Sequence, residues 1–206
     1  MKRTVLTVTA ALALLLGGCA TTIRSDVTTF HQWPAHLQEK TYVFDAPPPQ
    51  GDTLEYRSYQ NLVRAQLSKL GFQEASGSPA LQVSMRYKTI DVPVRVVQAV
   101  DPFYYPSARF AYSPWHRRGY WGGGFYDPFW DMPRYQVVER HVYQRDLQVA
   151  IRSARDGKPL FDVTVHNNST DPSTPAMMPA LVQSAFEGFP GPNGGARRIE
   201  LVKQNG

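Results

Sequence analysis

Apolar and polar side chains alternate residue by residue in several stretches of the chain, and this two-residue period predicts β-strands. After Tyr87 the alternation loses its phase, because Ile90 and Val92 are apolar at even positions. This slip predicts a bulge or a break near residues 88–90. The strands are expected at residues 41–45, 81–88, 143–151, 161–165 and 198–201.

The two strands on either side of residues 156–157 are expected to pair as a hairpin. A two-residue loop would place Phe161 opposite Arg152, an apolar residue against a charged one. The apolar faces match only if the paired residue numbers have an even sum, as for Ile151 with Val163. A loop of three or five residues is therefore predicted.

Apolar residues at three- and four-residue spacing predict two amphipathic helices. The first covers about 53–70, with Asp52 as N-cap and Gly71 after its end. The second carries its apolar residues at 178–189 and is expected to begin at Pro179, since proline deep inside a helix removes a hydrogen bond. This order predicts an α/β domain of the α+β two-layer type, with a mostly antiparallel sheet and both helices on one face.

The N-terminus combines two basic residues, an apolar run over 5–16 and a cysteine. The run is too short to span a membrane and has the length of a signal-peptide core. The ending LGGC at residues 16–19 resembles the bacterial lipobox, in which the cysteine thiol receives a diacylglycerol and the new amine an acyl chain. Cys19 is the chain's only cysteine, so lipidation is favoured over an ordinary secretory signal with an incidental buried cysteine.

Domain boundaries follow from this assignment. Residues 1–18 are expected to be a lipoprotein signal peptide, 19–29 a polar lipidated tether, and 30–206 a single domain. In Gram-negative lipoproteins an aspartate after the cysteine favours retention in the inner membrane, and here the residue is Ala20. The expected location is therefore the outer membrane, facing the periplasm, with the lipid anchor as the contact with the membrane.

Composition and charge narrow the class of partner. The chain has 206 residues and a net charge of +5, with 22 basic and 17 acidic side chains. Removal of residues 1–18 takes away two basic side chains, which leaves a net charge of +3. This net charge is small, and the protein is expected in the periplasm, so nucleic acid is not expected as its partner.

Aromatic residues are concentrated in residues 103–135, which hold 13 of the 25 aromatics together with several prolines and glycines. No helical or strand period is visible there, so a low-complexity insert is expected at about 99–134. Either the insert offers a contact surface to membrane, glycan or protein, or its rings cover the open face of the sheet. The candidate partner contacts are Tyr104, Tyr105, Trp115, Arg117, Arg118, Trp121 and Trp130.

The sequence contains no recognisable set of catalytic residues. No two of the five histidines have the spacing of a zinc protease, and there is no serine nucleophile motif. Asp127 and Asp131 could act as acid and base, but solvated loop carboxylates are the better interpretation. Catalytic residues, metal ligands and cofactor sites are not expected, and the covalent lipid on Cys19 is the one non-protein group.

Several segments together resemble the domain-of-unknown-function 4136 family of bacterial lipoproteins, over roughly residues 24–203. The segments are TYVFDAPPP, LEYRSYQNLVRAQLSKLGF, ALQVSMRY, DGKPLFDVTV and ALVQSAFEGFPGPNG. The most specific are the helix NLVRAQLSKLGF and the ending FPGPNG at 189–194. The resemblance implies a lipidated envelope domain with a sheet and two helices, and it brings no activity or catalytic residues.

The expected function is that of a non-enzymatic outer-membrane lipoprotein of the cell envelope, which binds a protein or glycan partner or helps maintain the envelope. Two alternatives stay open. One is an accessory lipoprotein subunit of an envelope transport system, an analogy at the level of fold. The other is a cell-wall or lipid hydrolase, which would need a pocket with convergent polar groups.

Overall fold

The computed structural model describes residues 22–34, 37, 39–47, 51–100 and 134–202, which form a seven-stranded sheet and two helices. The helices are α1 (Leu54–Lys69) and α2 (Thr174–Phe186). The strands are β1 (Thr22–His31), β2 (Thr41–Phe44), β3 (Gln73–Glu74), β4 (Leu81–Val100), β5 (Arg134–Ser153), β6 (Pro159–Ser169) and β7 (Ala196–Val202).

The strands lie in the order β3-β2-β4-β5-β6-β1-β7. Strand β6 pairs antiparallel with β5 and β1, and β1 pairs antiparallel with β7. Strand β2 pairs in parallel with β3 and β4, and α1 makes the crossover that parallel strands require. The fold is an α+β structure with a mostly antiparallel sheet and two helices, as predicted.

The core lies between the sheet and the helices, and its strand residues come from alternate positions. The two helices contact each other, and their buried side chains belong to one cluster with those of the strands. The inward pairs of β5 and β6 are Leu147 with Val165, Val149 with Val163, and Ile151 with Phe161. The buried apolar helix residues are Tyr56, Tyr59, Val63, Leu67, Met177, Met178, Leu181, Val182, Ala185 and Phe186.

The β5–β6 hairpin confirms the parity argument. Phe161 lies opposite Ile151, so the paired numbers have an even sum, and five residues, 154–158, separate the strands. The partner of Ile151 is Phe161, two residues before Val163, which the sequence analysis gave as its example. A shift of two keeps every side chain on its face of the sheet, so the apolar faces still match.

The predicted tether is wrong over residues 22–29, which belong to β1. Ile23 and Val27 on this strand are 5% and 0% exposed, and Ser25 and Thr29 between and beyond them are also buried. Small polar side chains at two of the four inward positions hide the alternation in the sequence. The strand is stable there because both of its edges pair, with β6 on one side and β7 on the other.

Both helix starts differ by small amounts from the prediction. The N-cap of α1 is Thr53, whose hydroxyl accepts a hydrogen bond from the Tyr56 amide, while Asp52 instead pairs with the Arg57 guanidinium. Helix α2 begins at Thr174, five residues before Pro179, which is therefore inside the helix. Ser173 caps this earlier start, its hydroxyl accepting from the Ala176 amide.

Strand β4 runs unbroken from Leu81 to Val100, so a break near residues 88–90 is ruled out, and the alternative of a bulge there stays a prediction. The chain divides into two compact units. The first includes the described residues up to Asp91 and from Tyr143 onward, and the second is Val92–Val142. Within the described part of the chain, every buried core residue belongs to the first unit. The segment 101–133 lies outside the described residues.

Candidate functional site

A cleft of about 630 Å³ opens in the first unit between the first turn of α1, the middle of β4 and the start of α2. Strand β2 pairs with β4 through Val83, and the next stretch of β4 forms one wall of the cleft. The lining residues are Gly51, Thr53, Glu55, Tyr56, Arg86, Tyr87, Lys88, Thr89 and Thr174. Most of them carry hydroxyl or charged groups, on a lining surface that is slightly more apolar than polar.

Tyrosine hydroxyls organise the α1 side of the cleft. The Tyr56 hydroxyl donates to the backbone oxygen of Met85 at 3.2 Å, which ties the first turn of α1 to β4. The Tyr59 hydroxyl donates to Oε1 of Glu55 at 2.6 Å, and the Tyr59 ring packs edge-on against Tyr87 at 4.9 Å between centroids. Glu55 is therefore held in place by a neighbour on its own helix.

The protonation of these groups follows from their burial. Burial raises the pKa of Tyr59 above its ordinary value, and the hydrogen bond to the Glu55 carboxylate raises it further. Burial also raises the pKa of Tyr87, and the nearby Glu55 charge adds to the effect. Both phenols stay protonated at neutral pH and act as hydrogen-bond donors.

On the other side of the cleft, α2 begins at Thr174, whose side-chain hydroxyl has two hydrogen-bond partners. Arg145 Nε donates to Thr174 Oγ1 at 3.2 Å, and Thr89 Oγ1 lies 3.1 Å from the same oxygen. Because Thr174 accepts from Arg145, its own proton is available for Thr89. The contact joins the start of α2 to β4 across the cleft.

Arg145 is the largest fully buried side chain in the described structure, with 1% of its surface exposed. Besides Thr174 it donates to Ser169 Oγ at 3.0 Å and to the backbone oxygen of Asp171 at 2.5 Å. Burial lowers the pKa of this guanidinium. Arg145 was not predicted from the sequence, although it has the same parity along β5 as the inward-facing Leu147, a signal that could have identified it.

Arg86 and Lys88 are exposed and bring two positive charges to the cleft. The one carboxylate among the lining residues is Glu55, and it already accepts from Tyr59. Donor hydroxyls and cations in an open cleft suit the binding of a polar or anionic ligand. The described lining residues lack the second carboxylate that acid–base hydrolysis of a glycoside requires.

All of the candidate site residues predicted from the sequence lie outside the described residues. These are Cys19 and the candidate contacts Tyr104, Tyr105, Trp115, Arg117, Arg118, Trp121 and Trp130, together with Asp127 and Asp131. In the described ranges, no group of three or more histidine, cysteine, aspartate or glutamate side chains is placed to hold a metal ion. No helix in those ranges has the length and apolarity needed to cross a membrane.

The ending FPGPNG at 189–194 closes one end of the core. Phe189 packs against Trp33 at 5.0 Å and Phe161 at 4.8 Å between ring centroids. The Gly194 amide donates to the backbone oxygen of Thr29 at 2.8 Å. The role of this motif in the described structure is to hold the end of β1 against the aromatic cluster.

Comparisons with known proteins agree with this fold. A family model described as Domain of unknown function (DUF4136) matches residues 26–191. A crystal structure of a PDZ domain protein from Parabacteroides distasonis is similar, with a TM-score of 0.52 at 12% identity, covering 93% of this chain and 42% of that one. The chain thus spans less than half the length of that protein.

A second solved structure, the PelC dodecamer from Paraburkholderia phytofirmans, matches with a TM-score of 0.39 at 9% identity. The match covers 79% of this chain and 94% of that one. The comparison with curated proteins finds no match to this chain.

Proposed function

Because the chain belongs to the DUF4136 family, a domain of unknown function, we propose its role from its own residues. The protein is a non-enzymatic lipoprotein of the bacterial outer membrane. It faces the periplasm, and it binds a protein or glycan partner or helps maintain the envelope. The observation that carries this proposal is the ending LGGC at residues 16–19, with Cys19 as the only cysteine of the chain.

The cleft supports a binding role. Its lining offers hydroxyl donors and two cations, and its carboxylate, Glu55, is occupied by Tyr59. Such a surface recognises polar or anionic groups without the free acid and base that hydrolysis needs. The aromatic insert, with Tyr104, Trp115 and Trp121 among its candidate contacts, is the second proposed contact surface.

The anchor is tested by growing cells with a fatty-acid probe and comparing the wild type with Cys19→Ser. We expect label on the wild type and none on the variant, because the thiol is the acceptor of the lipid. Equal labelling of both proteins would refute the anchor.

A matched variant tests the location. Ala20→Asp leaves the acceptor cysteine unchanged, so the probe should still label it, but the protein should move from the outer-membrane to the inner-membrane fraction on a density gradient. If the wild type itself sediments with the inner membrane, the proposed location is wrong.

The binding role is tested by photo-crosslinking in cells from three positions. A crosslinker at Lys88 reports on the cleft, one at Trp115 on the insert, and one at Arg155 on the exposed β5–β6 loop as the control. We expect a discrete adduct from Lys88 or Trp115 and none from Arg155. The same adducts from all three positions, or none from any, would contradict a specific binding surface.

A further inference from the structure

Very little chain separates the proposed lipid attachment point from the folded sheet. Strand β1 begins at Thr22, three residues after Cys19. Three residues span at most about 11 Å even when fully extended. Of the polar tether expected at residues 19–29, residues 22–29 belong to β1 and cannot lengthen the link to the sheet.

Strand β1 is not free to lengthen the tether by separating from the sheet. Its first residue, Thr22, is already opposite Val202 of β7, and Ile23 next to it is 5% exposed. On its other edge β1 pairs with β6, where Val27 lies opposite Val165. Peeling off the strand would break both ladders and expose buried apolar side chains, so Thr22 is a fixed point of the unit.

The register identifies which end of the sheet holds Thr22. The Asn167 side chain donates to the backbone oxygen of Arg24 at 2.8 Å, and Tyr143 lies opposite Ser169. This end therefore carries the start of β1, the last residues of β6 and β7, and Tyr143 of β5. The loop 154–158 lies at the opposite end, about 33 Å away along β5.

We propose that this end of the sheet, marked by Thr22, Val202 and Ser169, is held against the phospholipid head groups of the membrane that carries the lipid. Three residues join Cys19 to Thr22, so Thr22 and its partner Val202 stay within a short distance of the lipidated residue. The inference rests on the proposed function, because it requires lipid on Cys19. The cleft is at the same end, since Arg145 joins Thr174 to Ser169, so a partner of the cleft would meet it close to the membrane.

The orientation is tested by fluorescence quenching on the full lipidated protein. With Cys19 blocked by its lipid, a fluorophore can be attached at Val202→Cys or, as the control, at Lys158→Cys; both native side chains are exposed. The labelled proteins are incorporated in vesicles of phosphatidylethanolamine and phosphatidylglycerol that contain a lipid with a nitroxide on its head group. We expect roughly threefold or more stronger quenching at position 202, because about 33 Å of sheet separates the two ends.

A variant with a longer tether provides a second test of the orientation. Insertion of about 20 glycine and serine residues between Thr21 and Thr22 adds a flexible span of roughly 25 Å. Quenching at position 202 should then fall to the level of position 158. Quenching that persists with the linker would overturn the short tether as its cause.

The remaining outcomes separate the inference from the proposed function. If the wild-type protein floats with the vesicles but both positions are quenched equally, or position 158 more strongly, the orientation is wrong and the anchor stands. If the wild type does not float with vesicles while carrying no fatty-acid label, the anchor and the orientation fail together.

Discussion

At the scale of single residues, Arg145 is the side chain whose removal should matter most. Its buried guanidinium makes three hydrogen bonds, to the half-buried Ser169 and Thr174 and to the Asp171 backbone. Arg145→Ala should lower the free energy of unfolding by about 2–4 kcal/mol, because those partners lose their donor and a cavity forms. Chemical denaturation measures this change.

The matched control for Arg145 is Arg152→Ala, an exposed arginine on the same strand. It should change the free energy of unfolding by no more than about 0.5 kcal/mol. Equal effects of the two substitutions would mean that the buried contacts of Arg145 do not stabilise the fold.

Pro179 is a residue at which substitution should stabilise the protein. It lies inside α2 with its side chain exposed, and it lacks the amide that would donate to the backbone oxygen of Pro175. Pro179→Ala should raise the free energy of unfolding by about 1–3 kcal/mol, because alanine has a much higher helix propensity than proline. Part of this gain is offset because the unfolded chain has more conformational freedom without the proline. A fall in the denaturation midpoint would show that the proline packs usefully.

At the scale of elements, β1 is the strand that decides where the domain begins. Val27→Asp places an unpaired carboxylate at a fully buried position and should cost several kcal/mol, enough to unfold much of the protein. Arg24→Gln changes an exposed residue of the same strand and should alter the free energy of unfolding by at most about 0.5 kcal/mol. If both variants melt like the wild type, residues 22–29 act as a tether after all.

The edge formed by β2 and β3 is linked to α1 by an ion pair whose strength depends on pH. Arg64 Nε lies 2.5 Å from Glu74 Oε2, and this hydrogen bond lowers the pKa of Glu74 below its ordinary value of 4.5. A carboxylate with a lowered pKa in the folded state contributes stability above the unfolded pKa and loses it as the pH falls through the folded value.

Accordingly, Glu74→Gln should lower the free energy of unfolding at pH 7 by at most about 1 kcal/mol, since both side chains are more than a third exposed and solvent screens the pair. The difference from the wild type should shrink as the pH falls below 4.5. Glu39→Gln, at an exposed glutamate, is the control. A difference that stays constant with pH would rule out the charge as its source.

At the scale of the whole molecule, the two interpretations of the aromatic insert make opposite predictions. All buried core residues of the described structure lie outside 92–142. Replacing residues 101–133 by a short flexible linker should therefore change the free energy of unfolding by less than about 0.5 kcal/mol. A loss of several kcal/mol on denaturation would show that the insert's rings cover the sheet, and would remove the case for a contact surface.

The amino-acid sequence determined the features that depend on neighbours along the chain. The period of 3.6 located both helices, the period of two located most strands, and the parity of Ile151 and Phe161 set the loop of the hairpin. The proposed signal ending in Cys19 rests on equally local information, since it is inferred from a linear order of charge, apolar length and small residues.

Tertiary structure alone decided the features that depend on partners distant in the sequence. Strand β1 exists because β6 and β7 satisfy its backbone on both edges, although its own side chains are half polar. Arg145 is buried because Ser169, Asp171 and Thr174 supply its acceptors. The cleft and the short distance from Cys19 to the sheet follow from those pairings. Strand pairing and the burial of a charge depend on groups that are distant in the sequence, so the local pattern of residues does not predict them.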